Sequence, residues 1–99
     1  MRYEFHPEAL EEYREAAHWY RNREPKLALR FVGEVEGAIR GILAAPDRWR
    51  MIDEDVRRCL THFFPYSILY TIEPEFVFIV AVAHCAREPG YWKERLAQP

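Results

Sequence analysis

Few side chains in this sequence suit chemistry at a surface, and most of them sit in its second half: the adjacent pair Arg57-Arg58, His62, His84, Arg87 and Tyr91, with Trp92 beside it. Arginine and histidine neutralise phosphate or move protons, and a tyrosine hydroxyl donates a hydrogen bond. Arginine, tyrosine and tryptophan are also the side chains that anchor protein interfaces. Successive residues of a strand point to opposite faces, so only one of Arg57 and Arg58 serves a common site. The other is expected to pair with the acids just before it, Asp53, Glu54 or Asp55. His84 closes an apolar run, where a lone histidine is more often a hydrogen-bonded structural residue than a catalyst. Tyr91 and Trp92 suit stacking on a base, contact with a partner, or pinning the tail to a sheet.

The elements that position these residues follow from periodicity. Tyr3 to His6 reads as a short strand. Pro7, with Glu8, Glu11 and Glu12 close behind, suits a helix start. Leu10, Tyr13, Ala17 and Tyr20 then form an apolar stripe with Ala9 and Ala16 beside it, and Glu11, Glu12, Arg14 and Glu15 fill the polar side. Arg23-Glu24-Pro25 breaks the chain, and Ala28, Phe31, Val32, Val35, Ile39, Ile42 and Leu43 trace a second helix running to Ala45. Two such helices form an antiparallel hairpin whose apolar side needs a sheet or another helix to cover it. Val56 to Thr61, Ser67 to Ile72 and Phe76 to Ala83 supply three strands, the last apolar enough to be covered on both faces. Glu73-Pro74-Glu75 makes a tight turn between the last two strands. Tyr91 to Leu96, after Pro89-Gly90, reads as a short final helix. The fold class is α+β: an N-terminal strand, a helical hairpin packed on a mainly antiparallel meander, and a short C-terminal helix in one domain spanning residues 1–99.

Composition narrows the function. The net charge of −2 gives no global attraction to nucleic acid, so any such contact needs a local patch. With 49% hydrophobic and 30% charged residues the chain is too apolar for disorder and too interrupted for a membrane span. The N-terminal MRYEFHPEALEEY has no secretory apolar stretch, so the expected compartment is the cytoplasm, with no membrane partner. Cys59 and Cys85, the only cysteines, lack ligand spacing, so neither a metal nor another cofactor is expected and both are read as buried thiols.

In this order, Phe5-His6-Pro7-Glu8-Ala9 through Tyr13 to Trp19-Tyr20, then Ile39 to Pro46, Val56-Arg57-Arg58, Phe64-Pro65-Tyr66-Ser67-Ile68-Leu69-Tyr70, and Ala81-Val82-Ala83-His84 with Arg87-Glu88-Pro89-Gly90-Tyr91-Trp92 resemble the RelE/ParE superfamily of bacterial toxins, over nearly the whole chain. The resemblance implies a growth inhibitor of a type II toxin–antitoxin system, of the kind tied to plasmid stabilisation, held by a cognate antitoxin. Ribosome-dependent mRNA endoribonucleases of the superfamily use basic residues and a C-terminal tyrosine; carried over, these fall on Tyr91, Arg87 and His62, with Arg57 or Arg58 and His84 nearby. Cys85-Ala86 departs from that pattern, since family members commonly have a basic residue there. The ending His84 to Trp92 is closer to the ParE branch, which implies a protein-binding toxin directed at DNA gyrase, with Arg87, Tyr91 and Trp92 as anchors. A non-toxic member kept as a binding module is the third reading.

Overall fold

A computed structural model describes residues 1–97 of the chain. In chain order it contains β1 (Arg2–Phe5), α1 (Pro7–Arg23), α2 (Pro25–Ala44), β2 (Met51–Asp53), β3 (Val56–Leu60), β4 (Tyr66–Ile72), β5 (Phe76–His84) and α3 (Lys93–Ala97). The strands form one sheet in the order β1-β5-β4-β3-β2, with β1 parallel to β5 and every other pairing antiparallel.

Each boundary has a local cause. His6, read as strand, is instead the N-cap of α1: its Nδ1 accepts the Glu8 N–H at 3.0 Å, and Pro7 occupies the first turn, where its missing N–H costs nothing. Glu24 is the whole connection between α1 and α2. Pro25 holds it extended, and its N–H closes α1 on the Tyr20 carbonyl at 2.9 Å. β2 has no counterpart in the sequence reading, because its three residues are all exposed and carry no alternation.

The helical hairpin covers one face of the sheet. Phe31, Val35, Ile39 and Ile42 of α2 and Ala9 and Ala16 of α1 meet Ile68, Tyr70, Val77, Ile79 and Val82 there. The rings of Tyr20, Phe31, Phe64 and Tyr66 pack at centroid distances of 4.8–5.3 Å, so Phe64 at the strand entry is core and Tyr66 packs against it, while Pro65 is exposed. Tyr70 reaches through this layer to donate to the Pro46 carbonyl at 2.5 Å, and burial pushes its phenol up to about 12. Val32, placed in the stripe by spacing, is exposed, as is Leu29 one turn before it at 74%.

The opposite face is covered by the chain's own tail, through a bulge in β5. Leu69 faces Ala81 and Tyr70 faces Ile79, so Val80 is an extra residue that reverses the alternation. Val80, Ala81 and Ala83 therefore join Val56, Leu69 and Trp92 in a second core. Gly90, at φ 78°, supplies the left-handed turn that brings Trp92 there. Trp92 is only 5% exposed; its expected role as a surface anchor gives way to that of a core residue.

Cys59 is buried as expected, but Cys85 lies exposed just past β5. Burial raises the Cys59 thiol pKa, so alkylation of the native protein at neutral pH is expected to modify Cys85 at least tenfold faster. Equal rates followed by mass spectrometry would contradict that placement. Among the described residues no helix is long and apolar enough to cross a membrane.

Candidate functional site

The end of β5 gathers most of the residues singled out by type, but not all of them. Arg57 and Arg58 do point to opposite faces. Arg57 lies on the helix side, where its guanidinium donates to the carbonyls of Asp47 and Trp49 at 3.1 and 2.7 Å and pins the loop after α2. Its partners are backbone carbonyls and not the acids at 53–55, one of which, Asp53, pairs instead with Lys93 at 3.1 Å. Arg58 lies on the tail-covered face, beside a hollow of about 360 Å³ that His84, Arg87 and Tyr91 also line. His62 does not join them. Glu34 of α2 accepts the N–H groups of His62 and Phe63 at 3.1 and 3.0 Å, and His62 lines a separate depression with Trp49.

His84 and Arg87 form a ridge, since both also line a second hollow of about 340 Å³ on the helix side, between β5 and Ala16 and Trp19 of α1. The His84 ring stacks edge-on against Tyr66 at 5.1 Å, and its Nδ1 accepts the Ala86 N–H at 3.0 Å. Arg87 lies over the Tyr91 ring at 3.9 Å, with its guanidinium 4.0 Å from a Glu12 oxygen.

The centre of this arrangement is a residue read as solvated charge. Glu12 accepts the Tyr91 hydroxyl at 2.6 Å, two bonds from Arg95 at 2.9 Å each, and the Val82 N–H at 3.0 Å. Arg95 in turn donates to the Val80 carbonyl at 2.9 Å and lies 3.7 Å from Glu8. Its side chain is 9% exposed and that of Glu12 15%, so this is a nearly buried, bidentate ion pair.

Its position explains its presence. β1 ends at Phe5 while β5 runs on to His84, leaving part of the β5 edge without a strand neighbour among the described residues. In a parallel ladder, a residue opposite Ala81 would donate to the Val80 carbonyl and accept from the Val82 N–H. Arg95 makes the first bond and Glu12 the second, so the pair stands in for one residue of a longer β1 and closes the edge with charge. Neither residue was singled out by sequence. A legible signal was the mismatch between a four-residue first strand and a much longer apolar partner, which calls for polar groups to satisfy the remaining edge.

The same pair sets the chemistry of Tyr91. Burial foremost, then the hydrogen bond to the Glu12 carboxylate, raises its pKa well above the ordinary phenol value. Near neutral pH the hydroxyl is a donor committed to Glu12 and does not act as a base. Arg58, His84 and Arg87 remain exposed beside the hollows, as groups suited to meeting an external surface or anion.

Comparison with known proteins gives two matches of interest. The family model described as ParE toxin of the type II toxin–antitoxin system parDE matches residues 3–89. A solved chain from a chromosomal ParDE toxin–antitoxin system of P. aeruginosa shares the fold with a TM-score of 0.73 at 14% identity, over 85% of this chain and 95% of that one. No protein of curated function matches the sequence.

Proposed function

Because the chain belongs to the ParE toxin family of type II toxin–antitoxin systems, we propose that it inhibits growth by binding a protein target, DNA gyrase, through the ridge at the end of β5, and that a cognate antitoxin neutralises it in the cytoplasm. The observation that carries the binding reading is the engagement of Tyr91: its hydroxyl is tied to Glu12 at 2.6 Å, so the tail is built as a fixed surface around a buried ion pair. Arg87 crowns that surface, with Arg58 across the hollow, and both are exposed arginines of the kind that dominate interfaces. Trp92 contributes by fixing the tail from beneath. Supercoiling of relaxed plasmid by purified gyrase tests the target: stoichiometric protein is expected to suppress it at least tenfold, and full activity in a large excess of protein would exclude gyrase.

A second reading, cleavage of mRNA on the ribosome, draws support from the placement of Arg58, His84 and Arg87 around one hollow, a grouping suited to a phosphate. It is weakened by the committed Tyr91 hydroxyl and by the distance in the fold between His62 and that hollow.

For the antitoxin, the hairpin offers a surface of its own. A groove of about 580 Å³ between α1 and α2 is lined by the apolar Ala17, Ala28, Leu29 and Val32 and by the basic Arg14 and Arg21. This pattern suits an amphipathic segment with acidic flanks that folds as it binds. Leu29→Glu combined with Arg14→Glu is expected to weaken antitoxin binding at least thirtyfold. Both positions are exposed, so stability should change by about 0.5 kcal/mol or less. Titration with the product of the adjacent open reading frame checks this, and unchanged affinity would remove the groove from the interface.

A further inference from the structure

We propose that the remaining open edge of β5, at Val82 and His84, is the docking site of an extended segment of the antitoxin, which adds there as a short strand parallel to β5. The inference rests on the antitoxin reading above and adds a place and a backbone geometry to it.

The argument comes from the hydrogen-bond parity of β5. The Val82 N–H goes to Glu12 and the Cys85 N–H to the Pro65 carbonyl at 2.8 Å. In the antiparallel pairing with β4, Ala83 opposite Ser67 is therefore a bonded position, while Val82 and His84 turn their backbone groups away from β4. The Glu12 and Arg95 pair closes the position opposite Ala81, and the next position along, opposite Ala83, is open. There the Val82 carbonyl and the His84 N–H have no partner among the described residues, and Val82 and His84 line the hollow beside α1.

The open groups also choose the direction. An antiparallel strand pairs with the N–H and carbonyl of a single residue. Val82 has already given its N–H to Glu12, and the His84 carbonyl accepts the Arg87 N–H at 3.0 Å. What remains is the carbonyl of one residue and the N–H of the residue two further on, which flank Ala83 as a parallel partner requires. The incoming strand thus continues the line of β1 past the Glu12 and Arg95 pair, and one of its residues makes both bonds. The hollow accepts its neighbouring side chains: Ala16 leaves room, Trp19 and Tyr66 offer aromatic walls, and Glu15 and Arg87 stand at opposite charges on the rim. Trp19, 53% exposed and stacked under Arg23 at 4.2 Å, is a large apolar surface placed beside the open groups.

The test uses full-length, isotope-labelled protein bound to the product of the adjacent open reading frame. Strand addition predicts nuclear Overhauser contacts of the parallel pattern between the His84 amide and the backbone of the bound chain. It also predicts at least tenfold slower exchange of the His84 amide, and at least tenfold weaker binding by the Trp19→Ala variant. A stable complex in which the His84 amide exchanges at its free rate, or in which a helical segment covers it, overturns the inference and leaves the antitoxin reading intact. Failure to form any complex overturns both.

Discussion

Glu12→Ala is expected to destabilise the protein by about 3–5 kcal/mol, the cost typical of removing one partner from a buried ion pair. The size follows from what is left behind. Arg95 keeps its charge with its side chain 9% exposed, and the Val82 N–H and the Tyr91 hydroxyl lose their acceptor. Folded domains of this size are stable by only about 5–15 kcal/mol in total, so the loss is a large fraction. The tail is expected to detach first, because the pair joins α3 to α1, and tryptophan fluorescence should then report exposure of Trp92 at denaturant concentrations below the global transition. Paired replacement sharpens the test. Glu12→Leu with Arg95→Leu removes both charges, so the double variant should be several kcal/mol less damaged than the sum of the singles, on the order of the coupling measured for residues in one ion-pair network. A loss below about 1 kcal/mol for Glu12→Ala would show that the pair behaves as an exposed one.

Arg58→Ala with Arg87→Ala is expected to act on function and leave the fold in place. Both side chains are exposed, and neither donates a hydrogen bond that holds two elements together; Arg87 only lies across the Tyr91 ring and near Glu12. Stability should fall by no more than about 1 kcal/mol, the range for solvent-exposed charge and cation–π contacts. If the proposed interface holds, however, each anchors it with about 2 kcal/mol or more, roughly thirtyfold in affinity, so together the substitutions should abolish growth inhibition at normal expression. Circular dichroism and a denaturation curve, run beside a growth assay of the induced variant, separate the two effects. Full growth inhibition by the well-folded double variant would move the interface elsewhere.

Much of this molecule can be read in its sequence wherever a single periodicity decides. Pro7 and the acids behind it mark the start of α1. The spacing of Phe31, Val35, Ile39 and Ile42 gives the buried side of α2, and the apolar run from Phe76 gives the central strand. The site was less legible, for physical reasons that differ by residue. Glu12 sits on a helix among Glu11, Arg14 and Glu15, and nothing local separates a carboxylate that closes a strand edge from its solvated neighbours. Arg95, near the end of a polar tail, is buried only because the Val80 bulge and the Gly90 turn fold that tail over the sheet. The opposite orientation of Arg57 and Arg58 was foreseeable from strand alternation, but which arginine faced the hollow depended on the parity of β3 relative to the hairpin. His62 and Cys85 were misplaced because loop residues carry no period from which to read a direction.

On the proposed reading, the folded tail is a binding surface directed at DNA gyrase and not a nuclease site. Pulse labelling of DNA, RNA and protein synthesis immediately after induction tests it most directly. Thymidine incorporation is expected to fall first, with an SOS response, and co-expression of a cognate antitoxin to restore it; early loss of protein synthesis with DNA synthesis intact would contradict a gyrase-directed toxin.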